Sequence, residues 1–375
     1  MIRIAVLGAN GFIGARLTEM LTLRDLAEIR PIVRSYSGLA RLSRFDLDAR
    51  VADAFDEKAV EPALQGCDVL VHAVAGDINT VLGTLTPVYR AAEKAGVKRL
   101  VYLSSASVHG QAPEVGTDES SPLSDQQALP YNNAKVQAEH TLTHLRSQGD
   151  VELVILRPGI VFGPRSIWVT RFADDLQNGQ AALLNRVQGI CNSIYVDNLV
   201  HASYLAATHP RADSEVFLVG DRECIRWADL YQPIAEALGV NLSDLPEADL
   251  PEQPGHNQRS WWDRLEPVRV SKPVQGLLSI FPHRVRLAAY RAYETLLEPV
   301  AGLSPSASRT PKPVLSREMA ILYTCAYKLP HEKATRVLGY QPPVPFADAM
   351  RRTVAWLAFA GYPVKGESRE MSYQA

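Results

Sequence analysis

The chain has 375 residues, 46% of them hydrophobic and 21% charged, with a formal net charge of −2. That length supports a full core and more than one lobe, and the near-neutral charge gives no electrostatic footing for nucleic acid. The four cysteines, Cys67, Cys191, Cys224 and Cys325, are far apart and show no metal-ligand spacing, so reduced thiols and no metal site are expected. No apolar run approaches the ~20 residues of a membrane span. The first expected strand begins at residue 2, which leaves no room for a secretion signal before it, and a cytoplasmic location is expected.

Residues 2–7 form a short apolar run that reads as a buried strand. Gly8-Ala9-Asn10-Gly11-Phe12-Ile13-Gly14 follows, and apolar residues then recur at helical spacing to Leu23. Three glycines at three-residue spacing between a strand and a helix point to a dinucleotide turn. The first permits the tight turn, the second lets a pyrophosphate approach the backbone, and the third packs helix on strand. The phosphates then meet the positive end of the helix, with Asn10, Phe12 and Ile13 inside the same turn.

A second strand over 28–34 closes on Arg34, with Ser35, Arg41 and Arg44 nearby. An acid at such a position accepts from the ribose 2′-hydroxyl of NAD, whereas an arginine accommodates a 2′-phosphate, so NADP is expected ahead of NAD. The other reading of Arg34 is a charge solvated at a strand end. Residues 50–56 read as a third strand, with Asp53 facing an adenine amino group and Ala54 its ring; Asp56 is also placed to cap the helix beginning at Glu57. A fourth strand over 69–76 is almost wholly apolar, as a strand covered on both faces should be. Its small residues Ala73 and Ala75 lie where a cofactor passes, and His72 reads as a core histidine. A single helix is expected over 79–95.

The fifth strand, 98–105, ends in the hydroxyls Ser104 and Ser105 and runs on through Ser107, His109 and Gly110. The polar, proline-bearing stretch 111–130 reads as a cover over a cleft. Tyr131 and Lys135 then open a helix, and residues at i and i+4 share one face. An ammonium beside a phenol favours the phenolate and draws its pKa down from near 10. Such a tyrosine exchanges a proton with an alcohol or ketone, with Ser105 to hold the substrate oxygen.

With the glycine turn, 104–110 and Tyr131-x-x-x-Lys135, three later segments complete a resemblance: 156–164, 194–200 and 338–342. The chain resembles the extended short-chain dehydrogenases/reductases, the group of nucleotide-sugar epimerases, dehydratases and 3β-hydroxysteroid dehydrogenases. The likeness covers most of the chain apart from about 241–320 and the last dozen residues. It implies an α/β fold, a doubly wound parallel Rossmann sheet with a smaller, mostly helical C-terminal substrate lobe. Residues 1–165 with 191–220 would form the first part, and 166–190 with 221–375 the second. It makes Ser105, Tyr131 and Lys135 the catalytic group, sets Lys135 on the nicotinamide ribose, and lines the nicotinamide with Pro158, Gly159 and Ile160. It also implies a homodimer through the helices after residues 79 and 131.

His109 stands where the family usually has tyrosine, and with Ser107 and Arg165 it is a candidate substrate contact. Ala106 and Ser107 stand where the 4,6-dehydratases of the group carry an acidic pair, so the acid and base that water elimination needs are missing and a dehydratase is disfavoured. What remains is alcohol/ketone chemistry: epimerisation, or net oxidation or reduction.

The substrate is least legible. Pro246, Pro251, Pro254, Pro267 and Pro273 punctuate 241–320, beside the pair Trp261 and Trp262. Residues 282–297 read as a helix, either packed on the substrate lobe or resting on a membrane surface over about 283–298. The order of 322–340 resembles the sterol and 3β-hydroxysteroid enzymes. By contrast, 104–110 and 189–195 resemble nucleotide-sugar enzymes, for which Arg165, Arg171, Arg186 and Arg226 are candidate diphosphate contacts. The leading expectation is an NAD(P)-dependent epimerase or reductase of a nucleotide sugar. A sterol-type dehydrogenase is the alternative, and a non-catalytic dinucleotide sensor a third.

Overall fold

The computed structural model describes residues 1–248 and 315–365. The expected helix over 282–297, its membrane-surface reading, the tryptophan pair and most of the 241–320 insertion lie outside these residues.

The strands in chain order are β1 Arg3–Leu7, β2 Glu28–Val33, β3 Arg50–Val51, β4 Val69–His72, β5 Arg99–Leu103, β6 Glu152–Pro158, β7 Ile160–Phe162, β8 Ile190–Cys191, β9 Ser193–Tyr195, β10 Glu215–Val219 and β11 Ile225–Arg226. Seven of them form one parallel sheet in the order β10-β6-β5-β4-β1-β2-β3. The order reverses on either side of β1, which opens a crevice at the carboxyl ends of β1 and β4. The helices begin with α1 Phe12–Leu23, α2 Glu57–Leu64, α3 Ile78–Gly83, α4 Leu85–Lys94 and α5 Pro130–Gln148, and continue with α6 Ile167–Gln177, α7 Val196–Thr208 and α8 Trp227–Ala237.

The two-residue period of the strands sorts the core into two layers. Ile4 and Val6 of β1 join Leu17, Leu21 and Leu199 from α1 and α7 on one face. Ala5 and Leu7 join Val60, Val88 and Ala134 from α2, α4 and α5 on the other. The sheet is therefore doubly wound, as the family resemblance implies. A third apolar cluster gathers α6, α8 and the C-terminal helix Phe346–Phe359, and Phe12, Ile160 and Val161 pack against it.

Three expected elements differ, among them the fourth strand, which ends at His72 rather than at residue 76. The helix over 79–95 is broken into α3 and α4 around Thr84. Pro87 has no N–H for the Gly83 carbonyl four residues back, and its ring crowds that carbonyl. The third strand is two residues long rather than seven: Asp53 accepts from the Phe55 amide at 3.1 Å, and this turn ends it. Asp56 then caps α2, accepting from Lys58 N at 2.9 Å.

Candidate active site

The glycine turn lies at the crevice. Gly8 has φ +87°, and a Cβ there would stand 2.9 Å from the Ala73 carbonyl oxygen. A Cβ on Gly14 would stand 2.3 Å from the carbonyl oxygen of Gly8. Helix α1 starts at Gly11 with no side-chain cap and no acid in its first turn, so its leading amides are left for an anion. Arg16 on α1 donates to the buried carboxylate of Asp197 on α7 at 2.6 and 2.8 Å, which anchors the helix beside the sheet. These residues fit a dinucleotide: the turn is closed to side chains and open to a pyrophosphate.

Arg34 is exposed directly after β2. Behind it, Arg41 donates to the Asn10 carbonyl at 2.9 Å, and Gly38 sits against the Asn10 side chain, so the 35–41 turn backs onto the glycine turn. Asp53 is exposed just past β3, while Ala54 is buried.

A cleft of about 480 Å³ adjoins the turn. Of the expected site residues it is lined by Phe12, Ile13, Ala75, Ser105, Ser107, Tyr131, Pro158, Gly159 and Ile160. Ser105 caps the short turn after β5, its oxygen accepting from the Ser107 amide at 3.1 Å. The Ser107 hydroxyl is buried without a partner among the described residues. Gly159 is required by its neighbour: a Cβ would stand 1.9 Å from the Asn192 carbonyl oxygen, which accepts from Ile160 N at 2.7 Å and joins β7 to β9.

Tyr131 and Lys135 begin α5, which carries proline at its start, the position where a missing N–H costs least. Lys135 is buried behind Tyr131, with its ammonium 5.9 Å from the phenol ring centre. It donates to the Leu103 carbonyl at 2.9 Å and to the Tyr102 hydroxyl at 3.2 Å. Burial pulls its pKa down to about 8, against a raising contribution from Glu139. The phenol moves opposite to the sequence expectation. Tyr131 keeps 42% of its surface open. Yet desolvation by the protein around it, with the negative charge of Glu318, pushes its pKa up to about 12. The ammonium meant to lower it is spent on Leu103 and Tyr102.

Two candidate contacts lie off the cleft. His109 faces Arg157, 3.0 Å from its guanidinium, and desolvation followed by that charge lowers its pKa to about 4. Arg165 sits at φ +75° beyond β7 and does not line the cleft. Arg171 is exposed on α6, Arg186 lines a separate depression, and Arg226 donates to Gln188. His72 is a core histidine, as expected: it is 2% exposed and burial lowers its pKa to about 3.

Two groups escaped the sequence reading. The first is a buried pair behind the serines. Arg157 donates to both oxygens of Glu139 at 2.7–3.2 Å, and the Ser104 hydroxyl donates to the same carboxylate at 2.5 Å. Glu139 follows Tyr131 and Lys135 at the same four-residue step along α5, a signal the sequence did contain. The second is the far wall. Asn192 donates to the Tyr327 carbonyl at 3.0 Å and accepts from Leu329 N at 2.7 Å, pinning the chain after 315 to the cleft. That chain contributes Glu318, Leu322 and Leu329 to the lining. An acid therefore does reach the cleft, from more than two hundred residues beyond the positions where the sequence lacks one.

The parallel sheet, the glycine turn and the serine–tyrosine–lysine grouping define a dinucleotide-binding fold of the extended short-chain dehydrogenase/reductase class. The family model described as NAD dependent epimerase/dehydratase matches residues 4–220, and the chain belongs to that family. It is 28% identical to a UDP-glucose 4-epimerase of Vibrio cholerae over 65% of this chain and 78% of that one. It is also 28% identical to a 3β-hydroxysteroid dehydrogenase/Δ5→4-isomerase of Mycobacterium tuberculosis over 63% and 70%. Among solved structures, the Thermotoga maritima UDP-glucose 4-epimerase with UDP-glucose superposes with a TM-score of 0.66 at 19% identity, over 96% of this chain and 99% of that one. Among the described residues, no helix is long and apolar enough to cross a membrane.

Proposed function

We propose that this protein is an NAD(P)-dependent oxidoreductase that interconverts a secondary hydroxyl and its ketone. The observation that carries this reading is the shared cleft: Ser105 and Tyr131 line it beside Pro158, Gly159 and Ile160, with Lys135 buried behind the phenol. Gly8, Gly11 and Gly14 with the first amides of α1 would hold the pyrophosphate, and Lys135 the nicotinamide ribose. Bound NAD(P) supplies the hydride acceptor or donor. Tyr131 exchanges the hydroxyl proton, Ser105 orients the substrate oxygen, and the apolar wall excludes water.

For the substrate, the cleft supports an uncharged and largely apolar secondary alcohol. Phe12, Ile160, Trp168, Ile190, Leu322 and Leu329 line it, and no arginine or lysine does so among the described residues. A nucleotide diphosphate calls for cations, and the four arginines considered for that role lie elsewhere. Identity with UDP-glucose 4-epimerase still supports the sugar reading. A panel of sterols, 3-hydroxyacyl esters and UDP-hexoses, followed at 340 nm for cofactor reduction and by product analysis for epimers, tests this choice. Turnover of UDP-hexoses alone would reverse it.

For the cofactor, Arg34 and the absence of an acid at the end of β2 support NADP. Arg34→Glu is expected to weaken NADP binding at least tenfold while leaving NAD within about threefold, read by fluorescence titration. Equal loss for both cofactors would refute the preference.

Burial of Lys135 also has a pH signature. Its folded pKa of about 8 lies below the ordinary 10.5. The unfolded chain therefore binds more protons between those values, and stability rises with pH across that window. Lys135→Met removes this penalty, an advantage at pH 7 of at most on the order of 3 kcal/mol, reduced by leaving the Leu103 carbonyl and the Tyr102 hydroxyl without their donor. That advantage is expected to shrink from pH 8 toward 10.5 in urea titrations. A constant difference would contradict the burial of a charged lysine.

A further inference from the structure

Glu318 belongs to no expected site and yet lines the cleft. It stands in the first turn of the helix Arg317–Leu322, which Ser316 caps. The Gln111 side chain donates to its Oε1 at 2.7 Å, from the opposite side of the chain and 207 residues away in sequence. An ionised carboxylate accepts at two oxygens, so Gln111 fixes the group, and Oε2 has no partner among the described residues and can accept from a ligand. The charged and titratable groups around it divide clearly. Tyr131 lines the same cleft; Lys135 lies behind Tyr131 and is bonded to Leu103 and Tyr102; Arg317 is exposed. Glu318 is thus the one acidic or basic side chain among the described lining residues, in a wall that is otherwise apolar or hydroxylic. Its charge reaches the reacting group, since it raises the Tyr131 pKa.

We propose that Glu318 is a specificity-determining residue: it admits ligands that are uncharged near the reacting carbon, favours those with a hydrogen-bond donor there, and rejects those bearing an anion. This rests on the oxidoreductase reading for the phrase "reacting carbon", but the charge filter itself does not need turnover. It adds a selection rule that holds for a sterol-like alcohol and for a neutral sugar alike, and excludes acids of either kind.

Two probes of one skeleton separate the charge from the shape. N-phenyl-1-naphthylamine is neutral with one N–H donor; 8-anilinonaphthalene-1-sulfonate adds an anion. Both are read by fluorescence on the full-length protein. The wild type is expected to bind the neutral probe at least tenfold more tightly. Glu318→Gln, whose amide oxygen still accepts from Gln111, is expected to tighten the sulfonate roughly ten- to hundredfold and to change the neutral probe less than threefold. Trp168→Ala is expected to weaken both, which assigns the binding to this cleft. An unchanged affinity ratio in Glu318→Gln overturns the proposal, and so does failure of both probes to bind. Loss of the oxidoreductase reading would appear separately, as no cofactor-dependent turnover of any panel alcohol by the wild type with the probe ratios still obeying the rule.

Discussion

Replacing Glu139 by leucine is expected to destabilise the protein by about 3–5 kcal/mol, the cost of leaving a buried charge without its partner. The side chains of Arg157 and Glu139 are each only 4% exposed. Without the carboxylate, the Arg157 guanidinium keeps, among the described residues, His109 and the Glu119 carbonyl, and Ser104 loses its acceptor. The double variant Glu139→Leu/Arg157→Leu is expected to recover most of that loss, because two charges then stay out of the core together. Urea unfolding with midpoint and slope compared across the three proteins measures both. A single variant within 1 kcal/mol of the wild type would mean that the pair is solvated. The pair also matters to the site. It joins α5, which carries Tyr131 and Lys135, to the end of β6, where Pro158 begins the cleft wall, and to Ser104 beside Ser105. The double variant is therefore expected to lose turnover even where it regains stability.

The parts legible in the sequence are those whose physics is local. The glycine turn needs its residues at fixed spacing next to a strand. The alternation Ile4, Ala5, Val6, Leu7 already assigns two faces to β1. Tyr131 and Lys135 meet because a helix returns every fourth residue to one side. The break at Thr84 is also local, since Pro87 lies inside the expected helix 79–95 and announces it. Long-range placement was not legible. Nothing in Gln111 or Glu318 tells of a bond across 207 residues, and nothing near Asn192 says that it pins Tyr327 and Leu329. Pairing Tyr131 with Lys135 by spacing was sound, whereas inferring the direction of the phenol's pKa was not. Spacing says nothing of Leu103 and Tyr102, which take the ammonium, or of the carboxylate on the far wall.

Tyr131→Phe is expected to reduce turnover by about 10²–10⁴-fold, the range typical of losing a positioned acid/base, with little change in stability. The ring remains to pack beside Lys135 and the cleft. What disappears is the hydroxyl, the group that takes and returns the substrate proton in the proposed reaction. Its pKa of about 12 also sets a sign. Proton removal is expected to grow with pH through the neutral range, and the ketone-reducing direction to stay active at low pH, where the phenol holds its proton.

One measurement tests the central claim most directly: a side-by-side titration of wild type and Tyr131→Phe for cofactor affinity and for turnover of the best alcohol in the panel. A dinucleotide dissociation constant within threefold, together with a turnover loss of at least a hundredfold, is the predicted result. Undiminished turnover in Tyr131→Phe would contradict it and leave the cleft as an enzyme with a different acid.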